Sequence, residues 1–329
     1  MRLLGTKQKA VLQNQSVHVY LTILHGGKFI KENLWLSFIT PCLAKEEKPT
    51  GFQNQPRCPK KIAIIGAGPA GLEAAWVAAA RGHHVELYSA SKHVGGALRL
   101  EASLPGRGDM TKILDHQLYQ IERYGVRLHL DQSIDVTDLI ALSVDTIILA
   151  TGAHPRPPED FILVDGPLLS GRNYLKGVGR STIGRYRKAV LIDQDQTAAT
   201  YGLADQLAAD FDELLIVTTR PNFAQSVNYC SSIGVYRRLY GAGVTLIPAV
   251  KPVRMAAGTM TLENVYSGQS STIDSVDAVI YVTPRRVIDG LEPMTIAKVS
   301  DKILRIGDCR SPRNLMAAIH DGHHAAMLV

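Results

Sequence analysis

The chain has 329 residues, of which 46% are hydrophobic and 20% charged, and its formal net charge is +6. This composition excludes a disordered, coiled-coil or fibrous protein, and the length predicts about two domains. Basic and acidic residues are interspersed, and no stretch approaches the roughly 20 apolar residues of a membrane-spanning helix, so we expect neither nucleic-acid nor membrane binding.

Residues 1–57 carry no chemical motif, and we interpret them as an N-terminal extension or remnant, with short strands predicted at 16–24 and 34–38. No apolar signal-peptide core follows the N-terminus. The cysteines form no CxxC pair and no zinc or iron–sulfur pattern, so we expect reduced thiols in a cytoplasmic protein. They are Cys42, Cys58, Cys230 and Cys309.

A strand–turn–helix–strand pattern begins at Lys61. Residues 62–65 form a continuous apolar run, which is typical of a parallel strand buried on both faces. A glycine-rich turn follows at 66–71, then an Ala-rich helix at 72–80 and a second strand at 85–88. This order predicts a βαβ unit whose strands are parallel.

Further elements complete this unit and build a second one. An amphipathic helix is predicted at 110–124, with strands at 126–130 and 146–149. The later segments comprise a second βαβ unit, three more strands and a return of the chain, at 189–192, 197–209, 214–217, 244–247, 260–265, 278–282, 303–308 and 314–324. We therefore predict an α/β fold in which one Rossmann-like nucleotide-binding domain, residues 58–186 and 285–329, is split in sequence by a second, inserted Rossmann-like domain, residues 187–284.

The turn from Gly66 to Gly71 fits the pattern GxGxxG between a buried strand and a helix. Gly66 permits the tight turn, Gly68 lets the backbone approach a pyrophosphate closely, and Gly71 lets helix and strand pack tightly. The free N–H groups and the dipole at the start of the helix favour a diphosphate. The sequence therefore predicts that this turn binds the pyrophosphate of an adenine dinucleotide.

The second strand departs from the usual pattern, in which an acid about 20 residues after the turn binds a ribose hydroxyl. Strand geometry places Ser89, and not Glu86, at the tip. A serine hydroxyl can bond to a ribose, but a neutral hydrogen bond contributes less than a charge-assisted one. Two interpretations of Ser89 stay open: a weak ribose contact, or a strand-end residue without a ligand.

Six segments together resemble the nucleotide-binding half of the trimethylamine dehydrogenase, dimethylamine dehydrogenase and 2,4-dienoyl-CoA reductase family, whose members are flavin oxidoreductases with an Old Yellow Enzyme-like barrel. They span residues 61–75, 94–98, 104–108, 149–152, 306–313 and 318–323. The resemblance covers roughly residues 58–329 and implies a two-dinucleotide-binding flavoprotein architecture with FAD, or ADP alone, as the ligand.

The resemblance also implies roles for individual residues. The glycine turn would hold the pyrophosphate through Gly66, Gly68, Pro69, Ala70 and Gly71. The remaining contacts would be Ser89 and Lys92 to the adenosine, Gly95 and Gly96 by close approach, Thr151 and Gly152 closing over the nucleotide, and Asp308 to a ribityl or pyrophosphate-side hydroxyl. For Lys92, a solvated surface lysine is an equal alternative.

Two departures from the family limit the expected activity. Its full-length members begin with a (β/α)8 barrel that carries FMN, the substrate site and a cysteine cluster for an iron–sulfur centre, and such a barrel needs about 200 residues or more. Only 57 residues precede the nucleotide domain here, and the cysteine cluster is absent. We therefore expect no iron–sulfur cluster on this chain, and an electron-transfer module that works with an FMN/iron–sulfur barrel partner.

The second departure concerns NAD(P)H. The strand-to-helix turn of the second βαβ unit contains Asp193 and Asp195 where a pyrophosphate site would have glycines. We expect these carboxylates to cap the helix and to repel a diphosphate, so NAD(P)H binding is not expected. No histidine stands in a catalytic pattern, and His320 and His323, one turn apart, are typical of surface or packing positions; we assign no catalytic or metal-binding residue.

Overall fold

The computed structural model describes residues 58–141, 143–178, 187–287 and 303–329, so the strands predicted at 16–24 and 34–38 lie outside the described residues. The described strands are β1 (Lys61–Ile65), β2 (His84–Tyr88), β3 (Arg127–His129), β4 (Thr146–Leu149), β5 (Ala153–Pro155), β6 (Ile162–Leu163), β7 (Leu168–Ser170), β8 (Lys188–Asp193), β9 (Glu213–Val217), β10 (Thr245–Ile247), β11 (Val250–Ala256), β12 (Thr259–Asn264), β13 (Ser270–Ile273), β14 (Ala278–Val282), β15 (Arg285–Val287) and β16 (Ile303–Arg305). The described helices are α1 (Pro69–Ala80), α2 (Gly96–Ala102), α3 (Thr111–Arg123), α4 (Val136–Ala141), α5 (Gly171–Leu175), α6 (Ala198–Asp210), α7 (Tyr229–Gly241) and α8 (Leu315–Leu328).

The first sheet has the order β16-β4-β1-β2-β3, and all its strands are parallel. Its two faces are covered by separate apolar clusters, one built with α1, α3 and α8 and the other with α4. Burial on both faces explains the continuous apolar run of β1, whose residues Ile62 to Ile65 are all buried. This is the Rossmann-like arrangement predicted from the sequence.

Helix α1 lies at the centre of this layer and packs along α8. Its residues from Ala70 to Ala78 are all buried, and six of its twelve residues are alanine. The small side chains let α8 approach closely: a Cβ on Gly322 of α8 would lie 2.3 Å from the carbonyl oxygen of Ala70. The start of α1 is therefore fixed by close packing on the C-terminal helix.

The second parallel sheet has the order β10-β9-β8-β14-β7. One face packs on α6 and α7, and the other packs on a small sheet of order β13-β12-β11-β6. A two-stranded antiparallel ribbon, formed by β5 and β15, pairs Arg285 with Pro155. This ribbon follows β4 of the first sheet and β14 of the second, so it joins the two sheets.

The structure extends or adds to several predicted elements. Helix α1 begins at Pro69 and not at residue 72, because proline is well suited to the first helical turn. Helix α8 continues to Leu328 beyond the predicted end at 324, with Asn314 as its N-cap. The prediction missed the helices α2, α4, α5 and α7 and the strands β5, β6, β7, β11, β13 and β15.

Candidate functional site

Four loops meet at the carboxyl edge of the first sheet. The register aligns Ile65 with Tyr88 and with Leu149, and Leu149 with Arg305. The segments that follow β1, β2, β4 and β16 therefore start at one level, which is where parallel α/β sheets bind ligands. These segments contain Gly66, Gly68, Pro69, Ala70, Gly71, Ser89, Lys92, Gly95, Gly96, Thr151, Gly152 and Asp308.

Of the three glycines in the GxGxxG turn, two are required by packing. Gly66 has a φ of 118°, and a Cβ there would lie 2.2 Å from the carbonyl oxygen of Ala150. A Cβ on Gly71 would lie 1.9 Å from the carbonyl oxygen of Gly66. In contrast, a Cβ on Gly68 would meet no atom within 4 Å. Gly68 thus presents bare backbone to open space at the start of α1.

The first turn of α1 is suited to an anion. No acidic residue lies in it, and Pro69 follows the extended Gly68. The N–H of Leu72 donates to the carbonyl oxygen of Gly68 at 2.9 Å, whereas helix geometry leaves the N–H groups of Ala70 and Gly71 without an intrahelical acceptor. These two donors and the positive end of the helix dipole lie beside Gly68.

The loop after β2 closes against this turn. The N–H of Gly95 donates to the carbonyl oxygen of Ala67 at 2.7 Å. A Cβ on Gly96 would lie 3.3 Å from the Cα of Gly68. The backbone of Gly95 and Gly96 is therefore beside Gly68, at the position expected for a second close approach to a ligand; the contact itself stays a prediction.

The residues predicted to meet adenosine have local partners. Ser89 follows β2 directly and is buried, and its Oγ accepts the N–H of Ser91 at 3.2 Å. The Lys92 side chain is 75% exposed, with its Nζ 3.8 Å from a carboxylate oxygen of Asp131. The neighbouring acid, Glu86, lies within β2, and the hydrogen bond from the Tyr88 hydroxyl at 2.5 Å lowers the pKa of its carboxyl. Glu86 is thus already bonded within its own strand.

The other side of the site is formed by the loops after β4 and β16. Thr151 and Gly152 are half-buried and directly follow Ala150, whose carbonyl packs on Gly66. A Cβ on Gly307 would lie 2.8 Å from the Cβ of Ala70, so the next residue, Asp308, is beside the first turn of α1.

Two arginines near Asp308 were missed by the sequence-based prediction. Arg285 of β15 donates from Nη1 to the Asp308 carboxylate and from Nη2 to the carbonyl oxygen of Arg313. Arg172 of α5 donates to the carbonyl oxygen of Ala153 at 2.7 Å. Burial, and to a smaller extent the charge of Arg285, lowers the pKa of Arg172. No local pattern could reveal this cluster, because its members come from three separate parts of the chain.

The corresponding turn of the second sheet is closed by side chains. Asp193 is fully buried, and its carboxylate accepts the N–H of Gln196 at 2.8 Å and the hydroxyl of Tyr201 at 2.7 Å. Burial raises the pKa of Asp193 to about 6 and also raises the pKa of Asp195. The expected helix-capping role is wrong in detail: α6 begins after Thr197, and Asp193 closes the turn that precedes it.

Gln196 fixes this turn to the loop after β9. Its Nε2 donates to Thr218 Oγ1 at 3.1 Å and to the carbonyl oxygen of Asn222 at 2.8 Å, and its Oε1 accepts the N–H of Gln225 at 3.1 Å. Its side chain is 2% exposed. The position that a diphosphate would occupy in a second nucleotide site is therefore crossed by an internal hydrogen-bond network.

The described part of the chain contains neither a membrane-spanning helix nor a cluster of metal ligands. Within it, no helix combines the length and apolar character that crossing a membrane requires. Within the same residues, no group of three or more His, Cys, Asp or Glu side chains is arranged to hold a metal ion.

Comparison with known proteins gives relatives for most of the chain. It is 27% identical over 80% of its length to the N,N-dimethylglycine/sarcosine dehydrogenase of Chromohalobacter salexigens, of which it covers 43%. It is 25% identical over 86% of its length to the dimethylamine dehydrogenase of Hyphomicrobium, of which it covers 44%. Among solved structures, the 6-hydroxypseudooxynicotine amine oxidase of Pseudomonas geniculata superposes with a TM-score of 0.73 at 26% identity, over 82% of this chain and 42% of that one.

The chain thus spans less than half the length of these relatives. Residues 60–183 match the model of the family described as pyridine nucleotide-disulphide oxidoreductase. This segment runs from β1 past α5 and contains the glycine turn, Ser89, Gly95, Gly96 and Gly152. The family model covers less than half of the chain, and together with these relatives it confirms the resemblance of the chain to the nucleotide-binding half of the trimethylamine dehydrogenase and dienoyl-CoA reductase family.

Proposed function

We propose that this chain is the nucleotide-binding module of a flavin-dependent oxidoreductase and binds FAD through the Gly66–Gly71 turn. The observation that carries the proposal is the geometry of Gly68, which presents bare backbone at the start of a helix whose first turn holds two free N–H donors and no acid. Backbone donors at a helix N-terminus are a favourable environment for a diphosphate.

The other predicted residues surround this point. Ser89 and Lys92 would contact the adenosine, and Gly95 and Gly96 would let the ligand lie against the backbone. Thr151 and Gly152 would close over the nucleotide, and Asp308 would accept a ribityl or pyrophosphate-side hydroxyl. A bound flavin would supply the redox chemistry, while the chain would supply position and electrostatics.

The relatives described above are two amine dehydrogenases and an amine oxidase, and the chain covers less than half of the length of each. We therefore propose a cytoplasmic module that exchanges electrons with an FMN/iron–sulfur barrel, on a separate subunit or a longer polypeptide. We also propose that residues 58–186 and 285–329 form the flavin domain around an insertion at 187–284. The order of the first sheet supports a flavin domain split in sequence, since it takes strands from both sides of the proposed insertion, although β6 and β7 pair with strands of the inserted part.

A second candidate is an ADP-binding module without catalysis. It is supported by the hydrogen bonds of Asp308, because the carboxylate that would contact the flavin half of the ligand already accepts from Arg285 and from the N–H of Arg313. A third candidate, an NAD(P)H-dependent reductase, is disfavoured because Asp193 and Gln196 occupy the turn that would receive the second diphosphate.

Identification of the small molecule that copurifies with the chain tests the proposal. The protein would be denatured with acid and the released nucleotide identified by mass spectrometry. One equivalent of FAD supports the flavin module, and ADP alone supports the second candidate. A folded protein that releases no nucleotide, and binds neither ADP nor FAD when these are added, contradicts both.

A further inference from the structure

Asp308 is the one predicted contact for the flavin half of the ligand, and it already has partners. It lies in the Gly307–Cys309 turn after β16. Its Oδ1 accepts the N–H of Arg313 at 3.1 Å, and its Oδ2 is paired with the guanidinium of Arg285. The exposed fraction of its side chain is 19%. Both carboxylate oxygens are thus engaged, and little of the group is left open to another partner.

Arg285 is itself firmly held. It belongs to β15, which pairs with β5 so that Arg285 lies opposite Pro155. Its second terminal nitrogen donates to the carbonyl oxygen of Arg313, which gives the guanidinium two acceptors on the loop after β16. The exposed fraction of its side chain is 26%. A planar guanidinium with two acceptors in fixed positions is a geometrically specific clamp.

The Arg285–Asp308 pair lies close to residues that are predicted to contact the nucleotide. Strand β5 begins directly after Gly152, one of the residues predicted to close over the ligand. Gly307, adjacent to Asp308, packs on Ala70 in the first turn of α1. The Arg285–Asp308 pair therefore stands beside the pyrophosphate turn, whereas Ser89 and Lys92, the predicted adenosine contacts, come from the opposite side of β1.

We propose that Arg285 is a specificity-determining residue, which closes the flavin side of the site while its guanidinium holds Asp308. The inference rests on the proposed nucleotide site. An ADP moiety uses the glycine turn and the adenosine side, so it binds with the Arg285–Asp308 pair intact. FAD carries a ribityl chain and a flavin beyond the pyrophosphate, and its ribityl hydroxyl would compete with Arg285 for the Asp308 carboxylate, so FAD binding incurs the cost of weakening a charge-assisted interaction.

The test compares the affinities of the purified full chain for ADP and FAD. ADP binding is followed by isothermal titration calorimetry, and FAD binding by quenching of flavin fluorescence. The variant Arg285→Met keeps a long apolar stem and removes the clamp. The matched control is Arg187→Met, which removes the same charge from an exposed ion pair with Asp212. Arg187 and Asp212 directly precede β8 and β9, so this pair lies at the amino ends of the strands of the second sheet. Circular dichroism melting curves confirm that each protein is folded.

We expect Arg285→Met to raise the affinity for FAD at least tenfold and to change the affinity for ADP less than threefold. Arg187→Met should leave both affinities unchanged. If Arg285→Met does not fold, the charge-preserving Arg285→Lys, which cannot reach both acceptors, should raise the FAD affinity at least threefold.

Equal ratios of FAD to ADP affinity in the wild type and the Arg285 variants overturn this inference and leave the proposed nucleotide site standing. A loss of affinity for both ligands in Arg285→Met also overturns it, because Arg285 would then be a phosphate contact. Absence of ADP binding in the folded wild type, by contrast, rejects the proposed function itself.

Discussion

At the scale of single residues, the glycines of the turn differ in what requires them: packing requires two of them, and only ligand binding would require Gly68. Gly66 and Gly71 are needed because any side chain would collide with backbone carbonyl oxygens. Gly68 has an extended conformation, with φ −78° and ψ 176°, that any residue can adopt, and its surroundings are open. The fold therefore does not require glycine at 68, whereas a ligand seated on its backbone would.

Replacing Gly68 with alanine should reduce nucleotide affinity without loss of stability. The added methyl meets nothing in the folded chain, but it would lie where the diphosphate approaches the backbone. We expect the melting temperature to change by less than about 2 °C, and the affinity for ADP to fall at least about tenfold, which corresponds to roughly 1.4 kcal/mol. Calorimetric titration measures the second quantity.

Gly241→Ala is the control, since a Cβ at Gly241 also meets nothing within 4 Å and lies at the end of α7. It should bind ADP as the wild type does. Unchanged ADP affinity in Gly68→Ala would show that the ligand does not lie against this backbone.

Asp193 should make the stability of the fold depend on pH. Its pKa of about 6 in the folded state exceeds the ordinary value of 3.8, so the folded chain binds more protons than the unfolded chain between these values. The free energy of unfolding should therefore decrease as pH rises from 4 to 6.5, by up to roughly 3 kcal/mol from this group at about 1.4 kcal/mol per unit. Above that range the effect is constant.

Denaturation of the wild type and Asp193→Asn at a series of pH values measures this contribution. The amide carries no charge, so the wild type should lose stability relative to the variant across the interval. A constant difference between the two proteins from pH 4 to 7 would contradict the buried, neutral state of Asp193 at low pH.

The sequence was sufficient to locate the glycine turn, because its signal is local: an apolar strand, three glycines at fixed spacing and a helix. It was insufficient for the partners of Asp308. Arg285 and Asp308 are 23 positions apart, and their meeting depends on the pairing of β15 with β5. Long-range pairing of this kind leaves no periodicity in a single sequence, so the predicted contact of Asp308 with a ligand hydroxyl included no partner from the chain itself.

At the scale of elements, helices α1 and α8 position the site together. The first turn of α1 carries the free N–H donors, and Gly322 of α8 packs on the carbonyl of Ala70 in that turn. Strands buried on both faces and the helices after them were predicted well, because their apolar runs are continuous. Helix α7 was missed because Gly234, two serines and the β-branched Ile233 and Val235 lower its helix propensity.

Replacing Gly322 with alanine should destabilise the fold and weaken nucleotide binding together. The new Cβ would lie 2.3 Å from the Ala70 carbonyl oxygen and 3.0 Å from the Glu73 Cβ, so α8 must shift from α1. Overpacking of this kind costs about 1–3 kcal/mol of unfolding free energy. Chemical denaturation would detect the loss, and His320→Ala, on an exposed face of the same helix, is the control. Equal stability of the two variants would contradict the tight α1–α8 contact.

The turn between β8 and α6 should exclude pyridine nucleotides. Asp193 and Gln196 fill it with hydrogen bonds, and Asp195 adds a second carboxylate. We expect titrations with NADH and with NADPH, followed by nucleotide fluorescence, to give no saturable binding up to about 1 mM, an affinity of roughly 4 kcal/mol. A measurable dissociation constant below that concentration, if Asp193→Asn changes it, would contradict this account of the second sheet.

At the scale of the whole molecule, the described chain contains two parallel sheets that end differently at their carboxyl edges. The first has bare backbone, free donors and no acid at the start of its helix, and the second has a closed network of buried side chains. We therefore propose a nucleotide site at the first of these two described sheets and none at the second. The chain covers less than half the length of the relatives it matches, so the electron-transfer partner stays a proposal.

A crystal structure of the chain grown with ADP tests the central claim most directly. We predict density for the diphosphate over Gly68, with phosphate oxygens within about 3.2 Å of the N–H groups of Ala70 and Gly71, as in ordinary N–H···O hydrogen bonds. A well-ordered nucleotide bound at any other place, with the turn from Gly66 to Gly71 empty, would contradict the account.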